Sequence, residues 1–152
     1  MDFLKSDDFL DLISNLIHED TQCNDKRIDL TVSEIFRLTE SASLDFGGSE
    51  FTPVATEVIE PEKQDPADEY GWWNLKIDTY KATFNESVEI PKGHIAVVQP
   101  HIHAERAGLG CNSQILLPGD LSESLEMHFH VPVAGCKIKQ NARIASLFMM
   151  NI

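Results

Sequence analysis

The sequence has no long apolar run. Nothing in it approaches the roughly 20 consecutive apolar residues that a bilayer-spanning helix needs, and the opening MDFLKSDDF lacks the basic-then-apolar order of a secretory signal. Both absences lead to the expectation of a cytoplasmic protein with no membrane partner. Cysteine is sparse as well. Cys23, Cys111 and Cys136 make an odd number without CxxC spacing, which argues against a disulfide framework and against a zinc finger. Positive charge is also in short supply: 12 lysines and arginines stand against 25 aspartates and glutamates, a formal net charge of −13. Such a balance disfavours nucleic acid as a partner, and a polyphosphate substrate would need local cations or a divalent metal to offset the field. Familiar chemical signatures are missing too. There is no GxxxxGK[ST], no GxGxxG and no GxSxG.

What is present reads as one globular domain over residues 1–152, with 42% hydrophobic and 24% charged residues, enough for a real core. In DFLKSDDFLDLISNLIHED, Phe9, Leu12, Ile13, Leu16 and Ile17 fall at helical spacing, with Ser6 and the aspartates after it suited to an N-terminus. This predicts a single amphipathic N-terminal helix within residues 1–22. From residue 27 the period changes to two. RIDLTVSEIFRL, WWNLKIDTYKATFN, HIAVVQ and SLEMHFHV read as strands, separated by turn residues at Pro91–Gly93, Gly108–Gly110, Pro118–Gly119 and Val133–Gly135. Residues 57–71 hold two prolines and six acidic residues and read as an exposed loop. Short strands recurring at this spacing predict a mainly β protein, with a barrel over residues 27–150 behind the helix.

Histidine forms two pairs, HIH at His101 and His103 and HFH at His128 and His130. Residues two apart on a strand face the same side, so each pair would point at one place. In SLEMHFHV the alternation sets Leu125, Met127, Phe129 and Val131 against Glu126, His128 and His130. Two such pairs with a carboxylate would suit zinc, iron, nickel or manganese. The competing reading is a polar strand face, part exposed or turned toward a subunit interface.

The order of the segments resembles the dUTPase/dCTP deaminase superfamily, and most closely its compact archaeal-type dUTPases, from about Arg27 to Met149. RIDLTVSEIF is similar to the strand that carries the family's first aspartate, and SLDFGGSE to its IDF-plus-turn segment. NESVEIPKGHIAVVQP resembles the run into the second motif, ILLPGDLSESLEMHF the DPGYxG motif and its strand, and NARIASLFM the closing GxRIAQLxF strand. The resemblance implies a distorted β-barrel that assembles as a homotrimer with active sites between subunits. It also implies cleavage of dUTP to dUMP and pyrophosphate with Mg²⁺, or deamination of dCTP.

Carried across by position, Asp29 matches the first-motif aspartate, which supports the metal–triphosphate assembly in the family. The second motif, PRSSLxRxG, reads Pro100, His101, Ile102, His103, Ala104, Glu105, Arg106, Ala107, Gly108. Arg106 and Gly108 stay in register, whereas His101, Ile102 and His103 replace the arginine and both serines that contact phosphates. In the third motif Pro118 and Gly119 match, but Leu117 stands where the catalytic aspartate belongs and Asp120 where the ribose-stacking tyrosine belongs. Ser146 replaces the closing strand's glutamine, and no glycine-rich arm follows before Ile152. The nucleotide-binding candidates are therefore Asp29, Arg106, Gly108 and Gly119. The only acids left for base catalysis are Asp120 and, in a deaminase register, Glu126. Two readings stand: a dUTPase-related protein whose ordinary catalysis is weakened or lost, with a deoxynucleoside triphosphate as ligand, or a non-catalytic trimeric binding or scaffold protein. A deaminase-like enzyme and a histidine-based metal barrel rank behind them.

Overall fold

The computed structural model describes residues 2–120 and 125–152. In chain order the elements are β1 (Asp2–Phe3), α1 (Ser6–Phe9), a 3-10 turn (Leu10–Leu12), β2 (Ile13–Ser14), α2 (Glu19–Gln22), β3 (Cys23–Asn24), β4 (Arg27–Glu40), β5 (Ala55–Ile59), β6 (Trp72–Leu75) and β7 (Asp78–Phe84). There follow β8 (Ser87–Val88), β9 (His94–Pro100), α3 (Ile102–Arg106), β10 (Gly110–Cys111), β11 (Gln114–Leu116), β12 (Glu126–Val131), β13 (Cys136–Lys139) and β14 (Arg143–Asn151). Strands hold 49% of the residues and helices 11%, so the fold is mainly β, as the period-two patterning predicts.

A ten-stranded sheet runs in the order β10-β12-β7-β4-β14-β9-β11, with β1 added to β14 and both β3 and β5 added to β4. It curls strongly into a half-barrel. Two ribbons, β6–β13 and β2–β8, complete it. The 14-residue β4 is the spine. Its first half pairs with β14 and its second half with β7 and β5. The alternation read in SLEMHFHV holds: Leu125, Met127, Phe129 and Val131 are buried in the core, while Glu126 and His130 face out and His128 is half-buried.

The continuous N-terminal helix expected within residues 1–22 is not there. Phe9 and Ile13 are buried as their spacing requires, but the chain reaches those positions through α1, the 3-10 turn and an extended β2. The reason is tertiary. Ile13 and Ser14 pair with Val88 and Ser87, Glu89 donates its backbone N–H to the Leu12 carbonyl, and Asn15 takes φ 68°. An isolated helix this short is marginal in water, so strand pairing against β8 overrides its propensity. Residues 57–71 also depart slightly from expectation, since Glu57–Ile59 belong to β5 and the exposed loop begins after them.

Candidate functional site

Residues 28–32 of β4 are buried without a break, so this stretch is covered on both faces. Ile28, Leu30 and Val32 point into the core; Asp29 and Thr31 point toward α2 and β3, which pack over that side. Burying a carboxylate is costly unless donors surround it. Asp29 is 0% exposed, and its four side-chain donors come from β3, β4 and β14. Oδ1 accepts from Arg27 Nε at 3.1 Å and from Ser146 Oγ at 2.8 Å. Oδ2 accepts from Arg143 Nη1 at 3.0 Å and from Asn24 Nδ2 at 3.3 Å.

His101 completes this centre. The ring is 2% exposed, and its Nδ1 accepts the backbone N–H of His103 at 3.0 Å, which caps α3 and leaves the neutral ring's proton on Nε2. Nε2 lies 3.3 Å from Asp29 Oδ2 but off the line of a hydrogen bond. Burial holds the His101 pKa below the ordinary histidine value; Asp29 opposes this, while His103, Arg143 and Arg27 reinforce it. The HIH segment is therefore not a strand, and its two rings meet edge to face, with centroids 4.6 Å apart, across a helix start.

A second buried acid lies alongside. Glu86 accepts from the Thr31 backbone N–H at 2.7 Å, from the Thr31 hydroxyl and from Gln22 Nε2 at 3.0 Å. Gln22 also donates to the Asp29 carbonyl, and Glu86 is pushed above the usual carboxylate range by burial, against the pull of these donors. Thr31, Gln22 and Glu86 thus brace β4 from behind. Sequence reasoning passed over these three along with Arg27, Asn24 and Arg143. For the arginines the available signal was charge: two cations flank an aspartate-bearing strand in a chain with few cations.

The remaining candidates lie apart from Asp29. Leu117 is 48% exposed, at the start of a turn in which Asp120 N–H donates to the Leu117 carbonyl and Gly119 takes φ 84°. Asp120 is exposed, and its carboxylate accepts the Leu117 N–H at 2.8 Å, so it braces its own turn. Glu126 is exposed and sits 3.7 Å from Lys81 Nζ. His128 is half-buried with Nε2 unpartnered, and it lines a cavity of about 380 Å³ with Lys81 and Glu126. His130 is exposed beside Thr79, 3.3 Å away. Arg106 is exposed near the end of α3, and Gly108, at φ 85°, closes the turn after it, where an added Cβ would lie 3.2 Å from Pro132. Residues 121–124, within the third-motif segment, lie outside the described residues.

The two histidine pairs are not brought together: His101 and His103 sit on α3, His128 and His130 on β12. Among the described residues no three histidine, cysteine, aspartate or glutamate side chains gather as a metal site. Mg²⁺ at Asp29 does not fit either. Both carboxylate oxygens already accept two donors, and two guanidiniums stand where a divalent cation would have to approach.

A curled antiparallel half-barrel whose first long strand carries a buried aspartate beside the β9–α3 junction places the chain among the distorted β-barrels. In sequence the chain is similar to probable dUTPases, and in fold to a dCTP deaminase. No protein-family model matches it. A probable deoxyuridine 5′-triphosphate nucleotidohydrolase of Methanosarcina mazei is 29% identical over 141 residues, covering 93% of this chain and 79% of the relative. One from Aeropyrum pernix is 28% identical over 125 residues, covering 82% of this chain and 73% of the relative. Among solved structures, the 2′-deoxycytidine 5′-triphosphate deaminase of Agrobacterium tumefaciens superposes with a TM-score of 0.68 at 9% identity, a likeness of fold alone. It covers 99% of this chain but 48% of that one, so the chain spans about half the deaminase's length.

Proposed function

We propose that this dUTPase-related protein has lost ordinary dUTP hydrolysis and serves deoxynucleotide metabolism as a homotrimeric, non-catalytic binding protein. The observation that carries this is the state of Asp29: fully buried, with both oxygens engaged by protein donors. In this chain the aspartate holds the barrel's strands and the start of α3 together, and has no free oxygen with which to anchor a metal–triphosphate. Leu117 agrees with it, because a leucine neither orients nor deprotonates water. Asp120 is a poor substitute base while its carboxylate is committed to its own turn. Ile102 is half-exposed where the resemblance calls for a phosphate-binding hydroxyl, and it offers no donor.

The test is incubation of purified protein with dUTP, and separately with dCTP, in the presence of Mg²⁺. The expected result is no pyrophosphate and no ammonia above the no-protein control, and no rise in Tm with Mg²⁺ alone. Turnover that disappears in Asp120→Asn would overturn the proposal and assign the base to Asp120. Light scattering on the same sample checks the trimer.

A further inference from the structure

The β6–β13 ribbon has an outer face that the dUTPase reading does not use. Its register sets Lys139 opposite Trp72 and Lys137 opposite Asn74. Alternation along β13 buries Ile138 and leaves both lysines exposed. Their Nζ atoms lie 5.0 Å (Lys137) and 5.6 Å (Lys139) from the centre of the Trp72 indole. A cation–π contact orients an ammonium but does not neutralise it, and neither lysine meets a carboxylate among the described residues.

This face borders a cavity of about 220 Å³ with Leu109 and Ile138 as an apolar wall. Across His103, Ala142 and Arg143 it adjoins a second cavity of about 390 Å³, roofed by Ile17, His18 and Thr21. Among the described residues no aspartate or glutamate lines either one, although the chain carries 25 of them. Arg143 stands at the boundary. Its Nη1 is held by Asp29 and the Thr21 carbonyl, while its Nε and Nη2 donate to nothing among the described residues. In a molecule of net charge −13, two lysines without a carboxylate, beside an arginine that spends only Nη1 on Asp29 and the Thr21 carbonyl, make a local reversal of sign.

We infer that these joined cavities bind a small phosphate-bearing organic molecule. Its anionic group lies at Arg143, Lys137 and Lys139, and a flat apolar body packs against Trp72 and the Leu109–Ile138 wall. A guanidinium with unspent donors matches phosphate oxygens, ammoniums on flexible stems close over them, and the indole supplies a stacking surface. The inference stands whether or not dUTP is hydrolysed, since Trp72, Lys137 and Lys139 lie outside the motif segments, and of the ligand-holding cations only Arg143 lies within one.

The chain reports on this site directly, because it has two tryptophans. Trp73 is sealed in the core, with Nε1 donating to the Ile59 carbonyl, whereas Trp72 is part-exposed beside the lysines. Tryptophan emission is followed while phenyl phosphate, and separately inorganic phosphate, is added against sodium chloride of matched ionic strength. We expect a saturable change with phenyl phosphate, tighter than with inorganic phosphate. The Lys137→Gln/Lys139→Gln double variant should weaken it at least about tenfold, a loss of about 1.4 kcal/mol. Lys81→Gln/Lys92→Gln, which removes the same charge elsewhere, should leave it unchanged. No saturation beyond the chloride control, equal affinity for both phosphates, or equal weakening in the two double variants would each overturn the inference. Lys92, Lys137 and Lys139 are exposed, while Lys81 is 19% exposed beside Glu126, and far-UV circular dichroism checks that both variants fold.

Discussion

Asp29 shows how one side chain can change its employment without changing its identity. The carboxylate that the resemblance assigns to metal and triphosphate here joins β4, β3 and β14 through protein donors and lies against His101 at the β9–α3 junction. Removing one member of a buried charge cluster strands the others, at a cost of about 3–5 kcal/mol. Asp29→Asn keeps the volume but loses the charge that holds Arg27 and Arg143. It should lower Tm by on the order of 10 °C, measured by thermal unfolding; an unchanged Tm would show the cluster to be energetically idle. His101 supplies a pH signature. Burial lowers its pKa, so the fold favours the neutral ring. That contribution is present above the ordinary histidine value of about 6.5 and is lost as pH falls through the lower folded-state value. A proton on Nδ1 would also remove the acceptor that caps α3. His101→Asn, which can cap without titrating, should therefore show a flatter fall in stability below pH 6.5 than the native chain in urea melts across pH. At this scale the residue types were legible in advance and their partners were not. Asp29 stood out through the resemblance of its segment to a family motif, but its bond to Arg143 spans 114 positions, a distance no local pattern encodes.

Among the elements, strands were more legible than helices. A strand's period of two is imposed by a sheet with a wet face and a dry face, and β12 follows it residue by residue. The N-terminal segment carried an equally regular helical pattern, yet the backbone obeyed a pairing partner near residue 88 that its own sequence does not reveal. The histidine pair at the start of α3 misled for a related reason. Capping geometry, rather than alternation, decides where those rings point. The β6–β13 ribbon offers a test of its own. Gly135 leads into β13 at φ 78°, and a Cβ there would meet the Leu75 carbonyl at 3.0 Å. Gly135→Ala combines backbone strain with a clash against main chain. It should cost about 1–3 kcal/mol and shift the Trp72 emission, whereas Gly47→Ala, at negative φ with open space around it, should do neither.

Over the whole molecule, the excess of acid sets the terms for association. A net charge of −13 repels a second copy of itself, and salt screens that repulsion over about 10 Å at 0.1 M. If the barrels associate as the proposed trimer, assembly followed by analytical ultracentrifugation should strengthen as sodium chloride rises; weakening with salt would mean that ion pairs between subunits hold it together. The sheet carries a further consequence at its margin. β1 lies antiparallel to the end of β14, with Asp2 beside Asn151. Residues near the two ends of the described chain are thus held side by side, and Asp2 N–H donates to Asn151 Oδ1 across 149 positions. A contact of such sequence separation carries a larger loop-closure cost than a local hairpin does, which slows its formation.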